Sequence, residues 1–371
     1  MTSPYDGLDD TAYWRSGVVE CPPGRLRGLY QPRVAITAQS AILTAGSCFA
    51  QHVHRELKGA GAPVIEMEPP PQGSDADTAA RFFYGVFSAR YGNIYNPRQF
   101  LQLLREAKGI SRPAHPVWTR AGRHIDALRP NVDPGGFDTA EAAARARAHH
   151  LALVAQALER VDVVILTLGL HETWEDRASG IVYPVAPHVL AAPPEGADIG
   201  FLSLSHDDLV QDLRAVLALL RQDRPQVQMI LTVAPGPLIA TASGTHILAA
   251  STGGKAILRA AVDTLMRLED GVDYFPSYEI ITNPAARGRF YQANLRNPTP
   301  RGVAIVMRQF LSAHALTGAS LAAAPPADAP TGQNPADRGP TRAQRRADTP
   351  SEDNELICEE LLNDPQLHRE G

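Results

Sequence analysis

Cysteine is scarce in this chain: Cys21, Cys48 and Cys358 are the only three among 371 residues. They are too few and too scattered for a disulfide framework or a zinc site. No apolar run approaches the roughly 18 residues that a membrane-spanning helix requires. The opening MTSPYDGLDD is acidic where a secretory leader would be basic. Net positive charge is missing as well. The formal net charge is −5, and residues 323–371, with ten acids against five arginines, account for all of it. The remaining body balances 30 acids with 30 bases, which provides no electrostatic footprint for nucleic acid or an anionic membrane surface. These absences point to a reducing, cytoplasmic setting.

What is present is a core. At 44% hydrophobic and 20% charged, the chain has the composition of a globular domain. Residues 1–24 lack any clear period and are expected to form a leader that wraps the body. From Ala41 the text alternates. AILTA (41–45) meets Gly46-Ser47, and helical character follows over Phe49–Lys58. Pro63–Glu66 has the makings of a short strand. Asn96 with Pro97 is an N-cap followed by proline at the first helical position, opening a helix to about Lys108. Residues 111–138 look irregular, and an Ala-rich helix is expected over 139–159. VDVVILTL (161–168) and QMILTV (228–233) carry the continuous apolar pattern of strands buried on both faces. Helices are expected at 206–221, 254–269 and 300–314, with a short strand at 272–275. Buried strands alternating with helices predict one α/β domain over residues 25–320, a three-layer α/β/α sandwich with a mostly parallel sheet.

The end of the chain differs in kind. Residues 321–353 contain six prolines and, from Ala323, no aromatic and no aliphatic side chain larger than alanine. Such a stretch cannot bury enough surface to offset its ordering entropy, which predicts a disordered linker. Within the acidic tail 354–371, NELICEELLNDP places Leu356, Ile357 and Leu361 on one helical face. Residues 354–365 are therefore either a docking motif for a protein partner or a frayed helix touching the body.

Ligands of open α/β sheets bind beyond the carboxyl ends of the strands, which directs attention to Gly46-Ser47-Cys48, Gly169-Leu170-His171-Glu172 and Ala234-Pro235-Gly236. A serine between strand end and helix start can act as a nucleophile beside the N–H groups of a helix N-terminus. It can equally be no more than an N-cap. STGGKA (251–256) resembles a phosphate loop only at Gly254-Lys255, because Ala249 and Ala256 stand where Gly and Ser/Thr are required. Lys255 is expected to cap, to pair or to touch an acidic ligand. His52 and His54, two residues apart on a helix, cannot share one face and are expected at the surface. His149-His150 belongs to no metal motif and no carboxylate pair. Neither a metal nor a cofactor is expected.

The string GSCFA at Gly46–Ala50, with YGNIYNP (91–97), TLGLHETW (167–174), YFPSYEI (274–280) and RFY (289–291) in order, resembles the GSCFA family, a branch of the SGNH/GDSL hydrolase-like superfamily. The resemblance covers about residues 30–315 and implies a flavodoxin-like α/β/α sandwich. It also implies an acyl-ester hydrolase or O-acyltransferase acting on a small or carbohydrate-borne ester. Ser47 would be the nucleophile, with its own N–H, Gly92 and His171 holding the oxyanion. The resemblance fails in one place. Where many relatives look like RFY-x-x-D-x-x-H, this chain has Asn294 and Asn297, and an asparagine cannot act as a general base. Either another group serves Ser47, with His171, His246 and a supporting Glu279 as candidates, or the protein is a catalytically silent binding module that recruits a partner.

Overall fold

The computed structural model describes residues 3–316; the expected linker and tail lie outside the described residues. In chain order the elements are β1 (Ile42–Gly46), α1 (Phe49–Gly59), α2 (Ala76–Arg81), α3 (Pro97–Ala107), β2 (Val117–Arg120), β3 (Arg123–Asp126), α4 (Ala140–Leu158) and β4 (Val163–Leu168). There follow β5 (Glu172–Asp176), β6 (Ile181–Tyr183), β7 (Ile199–Ser203), α5 (His206–Asp223), β8 (Gln228–Val233), α6 (Ile247–Leu268), β9 (Val272–Tyr274), α7 (Ser277–Thr282) and α8 (Pro300–Ala313). Before β1 the chain makes only short turns at Asp10–Ala12 and Arg15–Val19, neither of which buries a residue.

The central sheet has the order β1-β4-β8-β9, all parallel. Alternation along each strand divides the core into two layers. Leu43, Val164, Leu166, Met229 and Leu231 face α3, α4, α5 and α6. Ile42, Val163, Ile165 and Ile230 face α1, α7 and α8. This is the three-layer α/β sandwich that the buried strands predicted. The expected strand at 63–66 shrinks to one parallel bridge, Ile42 to Val64, within otherwise irregular chain. It lies where a flavodoxin-like order would carry its second strand, so the order reverses between β1 and β4. The carboxyl ends of those two strands, Gly46 and Leu168, therefore flank the switch point.

Several expectations need correction. Residues 111–138 are not wholly irregular, because β2 and β3 form an antiparallel hairpin. A second sheet of order β6-β5-β7, antiparallel throughout, occupies part of the 172–203 stretch. Helix α6 begins seven residues before Gly254, at Ile247, with His246 as its N-cap. Two adjacent glycines look like a break in the sequence but lie inside this helix.

His52 and His54 are buried, at 7% and 0% exposure. Helix α1 packs on β1 on one side and α8 on the other, so positions two apart are both covered. His52 Nδ1 lies 2.8 Å from Arg55, and His54 Nδ1 lies 2.7 Å from Thr44 Oγ1. His150 also departs from expectation, since its Nδ1 lies 2.6 Å from Glu68 Oε2 in the interior. Nearby, Arg147 bridges Glu106 and Asp126. Burial lowers the imidazole of His52 to about 3 and those of His54 and His150 to about 4. The unfolded chain protonates these rings near the ordinary value of about 6.5. Below that value the unfolded state thus binds more protons than the folded one, and stability falls with pH. Thermal melts between pH 6.5 and 4 are expected to show a Tm that declines by several degrees; a flat Tm would mean the rings are not held neutral.

Candidate active site

Gly46 closes β1 at φ +142°, and a side chain there would lie 2.5 Å from the Thr167 carbonyl oxygen and 2.7 Å from its nitrogen. Only glycine allows β1 to approach β4 this closely. Ser47 follows, 1% exposed. Its N–H extends the parallel ladder by donating to the Thr167 carbonyl at 3.0 Å. While that bond holds, the N–H is engaged and does not point into an anion cradle as the resemblance implied. The Ser47 hydroxyl has no hydrogen-bond partner among the described residues. It does not cap α1, whose N-cap residue, the half-buried Cys48, provides no side-chain cap either. The bland alternative from the sequence, serine as N-cap, is thereby removed.

Two further blocks close around this hydroxyl. Ile94 N–H donates to the Gly46 carbonyl at 2.8 Å, and the Tyr95 carbonyl accepts from Gly169 N–H at 2.8 Å and Leu170 N–H at 3.0 Å. The loop carrying Gly92 is thus stitched between the ends of β1 and β4. A methyl group on Gly169 would meet Ser47 Cβ at 2.7 Å and Oγ at 3.3 Å, so the Gly169 backbone forms one wall of the serine site. Gly92 itself has φ +71°. Its neighbour Asn93, 1% exposed, accepts from Gln51 Nε2 at 3.0 Å. Asn93 stands beside Gly92 in YGNIYNP, a buried polar side chain that the sequence pattern alone does not single out.

Helix α6 forms the next wall. Lys255, 4% exposed, donates from Nζ to the Gly169 carbonyl at 2.8 Å. The His171 ring lies on Gly254, where an added Cβ would fall 2.3 Å from Nδ1. One of the two glycines inside α6 thereby has a reason: Gly254 makes room for an imidazole, at a cost of about 1 kcal/mol in helix propensity. Burial, and secondarily the Lys255 ammonium, holds the His171 pKa below its ordinary value. At neutral pH the ring is uncharged and could accept a proton. It makes no hydrogen bond to Ser47, whose hydroxyl is unpartnered.

The remaining candidates are occupied elsewhere. His246 is exposed and accepts Leu248 N–H through Nδ1 as the cap of α6. Glu279 pairs with Arg259 at 2.9 Å and accepts from Tyr274 Oη at 2.6 Å. Asn294 is exposed, and its Oδ1 accepts from the N–H groups of Arg296 and Asn297 at 3.0 Å. Asn297 Oδ1 accepts from Arg296 Nη1 at 3.2 Å. That loop is tied to the end of β8 by Tyr291 Oη donating to the Pro235 carbonyl. Both asparagines thus serve their own turn. Among the described residues no cluster of His, Cys, Asp or Glu could hold a metal ion, and no helix is long and apolar enough to cross a membrane.

Beyond His171 the chain opens onto a cavity of about 220 Å³ between β5, β7 and the 238–242 loop. The antiparallel sheet that forms its floor was not foreseen from the sequence.

Comparison with curated proteins finds no match. Among solved structures, a protein described as a GDSL-like lipase from Parabacteroides merdae aligns at 16% identity and TM-score 0.35, covering 77% of this chain and all of that one. A carbohydrate esterase family 3 protein from Talaromyces cellulolyticus aligns at 10% identity and TM-score 0.33, covering 73% of this chain and 94% of its own. A mutant acetyl esterase with acetate ion aligns at 11% identity and TM-score 0.32, covering 75% of this chain and all of its own. At such scores these likenesses carry nothing about substrate. The family model for the GSCFA family matches residues 41–310, from the start of β1 into α8. The chain is a member of the GSCFA family.

Proposed function

We propose that this protein is an acyl-ester hydrolase or O-acyltransferase in which Ser47 attacks the ester carbonyl and His171 takes its proton. The observation that carries the reading is the Ser47 hydroxyl: buried, without a partner, and walled by glycine backbone. An unsatisfied buried hydroxyl costs about 1–3 kcal/mol, which a structural role does not repay here. In the first step Ser47 Oγ bonds to the carbonyl carbon, the ester oxygen leaves as an alcohol carrying the proton from His171, and an acyl-serine remains. In the second, water or an acceptor hydroxyl gives its proton to His171 and attacks the acyl-serine, the acyl–Oγ bond breaks, and Ser47 Oγ recovers the proton from His171 as free acid or a new ester departs. Gly92 N–H and the Phe49 N–H at the start of α1 are the donors proposed for the oxyanion, since the next two N–H groups of that helix already donate to the Ser47 and Cys48 carbonyls. Hydrogen bonds between nucleophile and base in such sites commonly close only when substrate is bound. The assay is hydrolysis of p-nitrophenyl acetate by the full chain. A rate at background in wild type would end this reading.

A second reading has its own observation. Asn294 and Asn297, which replace the acid and base expected of the family's last block, are consumed by their own turn. The protein would then be a silent module that binds an ester or sugar, or recruits a partner, through the same crevice. The double substitution Asn294→Asp with Asn297→His separates the two. If the wild type lacks a base, the double variant is expected to gain about 10²–10⁴-fold in ester hydrolysis, lost again when Ser47 is alanine. If the wild type already turns over as fast as the variant, a substitute base is present and the silent reading fails.

A further inference from the structure

The cavity beside His171 has two kinds of wall. Its floor is the open face of the β5–β7 pair, where Trp174 stands directly opposite Phe201 in register, their rings 5.9 Å apart and edge to face. Two residues along β5, on the same face, lies Glu172. The roof is the loop after β8, with Leu238 and Thr241, and Leu170 closes the end nearest Ser47. Thr241 Oγ1 donates to Glu172 Oε1 at 2.7 Å and so ties roof to floor. The other carboxylate oxygen has no hydrogen-bond partner among the described residues.

We infer that this cavity is a subsite for a single pyranose ring, the sugar that carries the ester delivered to Ser47. The inference rests on the esterase reading above and names its substrate class. Three features carry it. The cavity holds about 220 Å³, below the roughly 300–1,000 Å³ typical of sites for drug-sized ligands, so it has room for one ring and little more. Flat aromatic walls with an electron-rich face suit the C–H face of a sugar. Glu172 decides between sugar and fatty chain. Burial already raises its pKa, and covering it with hydrocarbon would strip further water from a carboxylate with nothing returned. Sugar hydroxyls would instead donate to it, and hydrogen bonds to a charged acceptor are the strong ones. Position agrees with this role. Leu170 follows Gly169, the residue whose backbone walls Ser47, and the roof loop leaves the end of β8 on the same side of the sheet.

The test compares kcat/KM for monoacetylated methyl β-glucopyranoside, p-nitrophenyl acetate and p-nitrophenyl octanoate in wild type, Glu172→Gln and Trp174→Ala. Loss of one charged hydrogen bond corresponds to a fall of about 10–100-fold in the ratio of glycoside ester to p-nitrophenyl acetate. Equal falls on both substrates would mean that the two side chains only support the fold, and would overturn the subsite. A wild-type preference for octanoate that vanishes in Trp174→Ala would overturn it in favour of an acyl channel. Hydrolysis of p-nitrophenyl acetate without any of the glycoside ester would overturn the subsite while leaving Ser47 as nucleophile. If wild type hydrolyses nothing, the esterase reading fails and binding decides. Titration of unacetylated methyl β-glucopyranoside should then shift tryptophan emission saturably in wild type and not in Trp174→Phe. No saturable shift would overturn the subsite as well.

Discussion

Replacing Ser47 with alanine is expected to bring ester hydrolysis to background while leaving the Tm unchanged or a few degrees higher. The two halves of this result come from one feature. As nucleophile, the hydroxyl is the atom that bonds to the acyl carbon, so its removal leaves only what orientation and anion stabilisation contribute on their own. As a structural group it contributes nothing favourable: it is buried, it caps no helix, and it has no partner. Removing it relieves a desolvation cost of about 1–3 kcal/mol against the loss of one small, packed atom. A true N-cap would behave oppositely, because its loss costs about 0.5–2 kcal/mol and lowers the Tm. Calorimetry on wild type and Ser47→Ala, alongside the p-nitrophenyl acetate assay, reads both. A Tm drop with undiminished hydrolysis would return Ser47 to the role of a cap.

His171→Gln is expected to lower kcat/KM by about 10²–10⁴-fold, the usual worth of general-base catalysis. The amide can still donate a hydrogen bond but cannot take up a proton, so the substitution distinguishes base from oxyanion donor. The pH profile makes the same distinction in the wild type. Burial and the Lys255 ammonium depress the His171 pKa below the ordinary imidazole value of about 6.5. A base must be neutral, so kcat/KM should stay level as pH falls through 6.5 and decline only below it, as the ring protonates. An oxyanion donor would show no such acid limb, because the protonated ring donates at least as well. Lys255→Met should move the limb upward by removing the neighbouring positive charge. A profile in which His171→Gln retains both rate and acid limb would exclude His171 as the base.

Much of the scaffold was legible because its signals are local. VDVVILTL and QMILTV are apolar at nearly every position, which is the requirement of a strand covered on both faces, and both are strands of the central sheet. Asn96-Pro97 and Thr139 cap their helices through the side-chain bonds that those residue types make. The 172–203 sheet was not legible. Its strands are three to five residues long, two of them only partly buried, and HETWED mixes charge with aromatic surface. Their pairing depends on cross-strand neighbours rather than on any period within a strand. The burial of the α1 histidines is illegible in the sequence for a related reason, since a rule about one buried helix face does not apply to a helix covered on two.

What the sequence by itself determined was the alternation of buried strands and helices, the capped helix starts, and the Gly-Ser junction at the first strand end. Each follows from the stereochemistry of a few consecutive residues. Only the tertiary structure decided that Ser47 is not a cap, because that required knowing that no donor or acceptor elsewhere among the described residues reaches its hydroxyl. The same holds for the clamp of Lys255 on the Gly169 carbonyl, 86 residues away along the chain. It holds equally for the seat of His171 on Gly254 and for the cavity roofed by a loop tied to Glu172 across 69 residues. Local propensity carries no record of which distant segments meet. Their meeting is set by the parallel order of the sheet, which brings the ends of β1, β4 and β8 to one edge and the loops that follow them into one crevice.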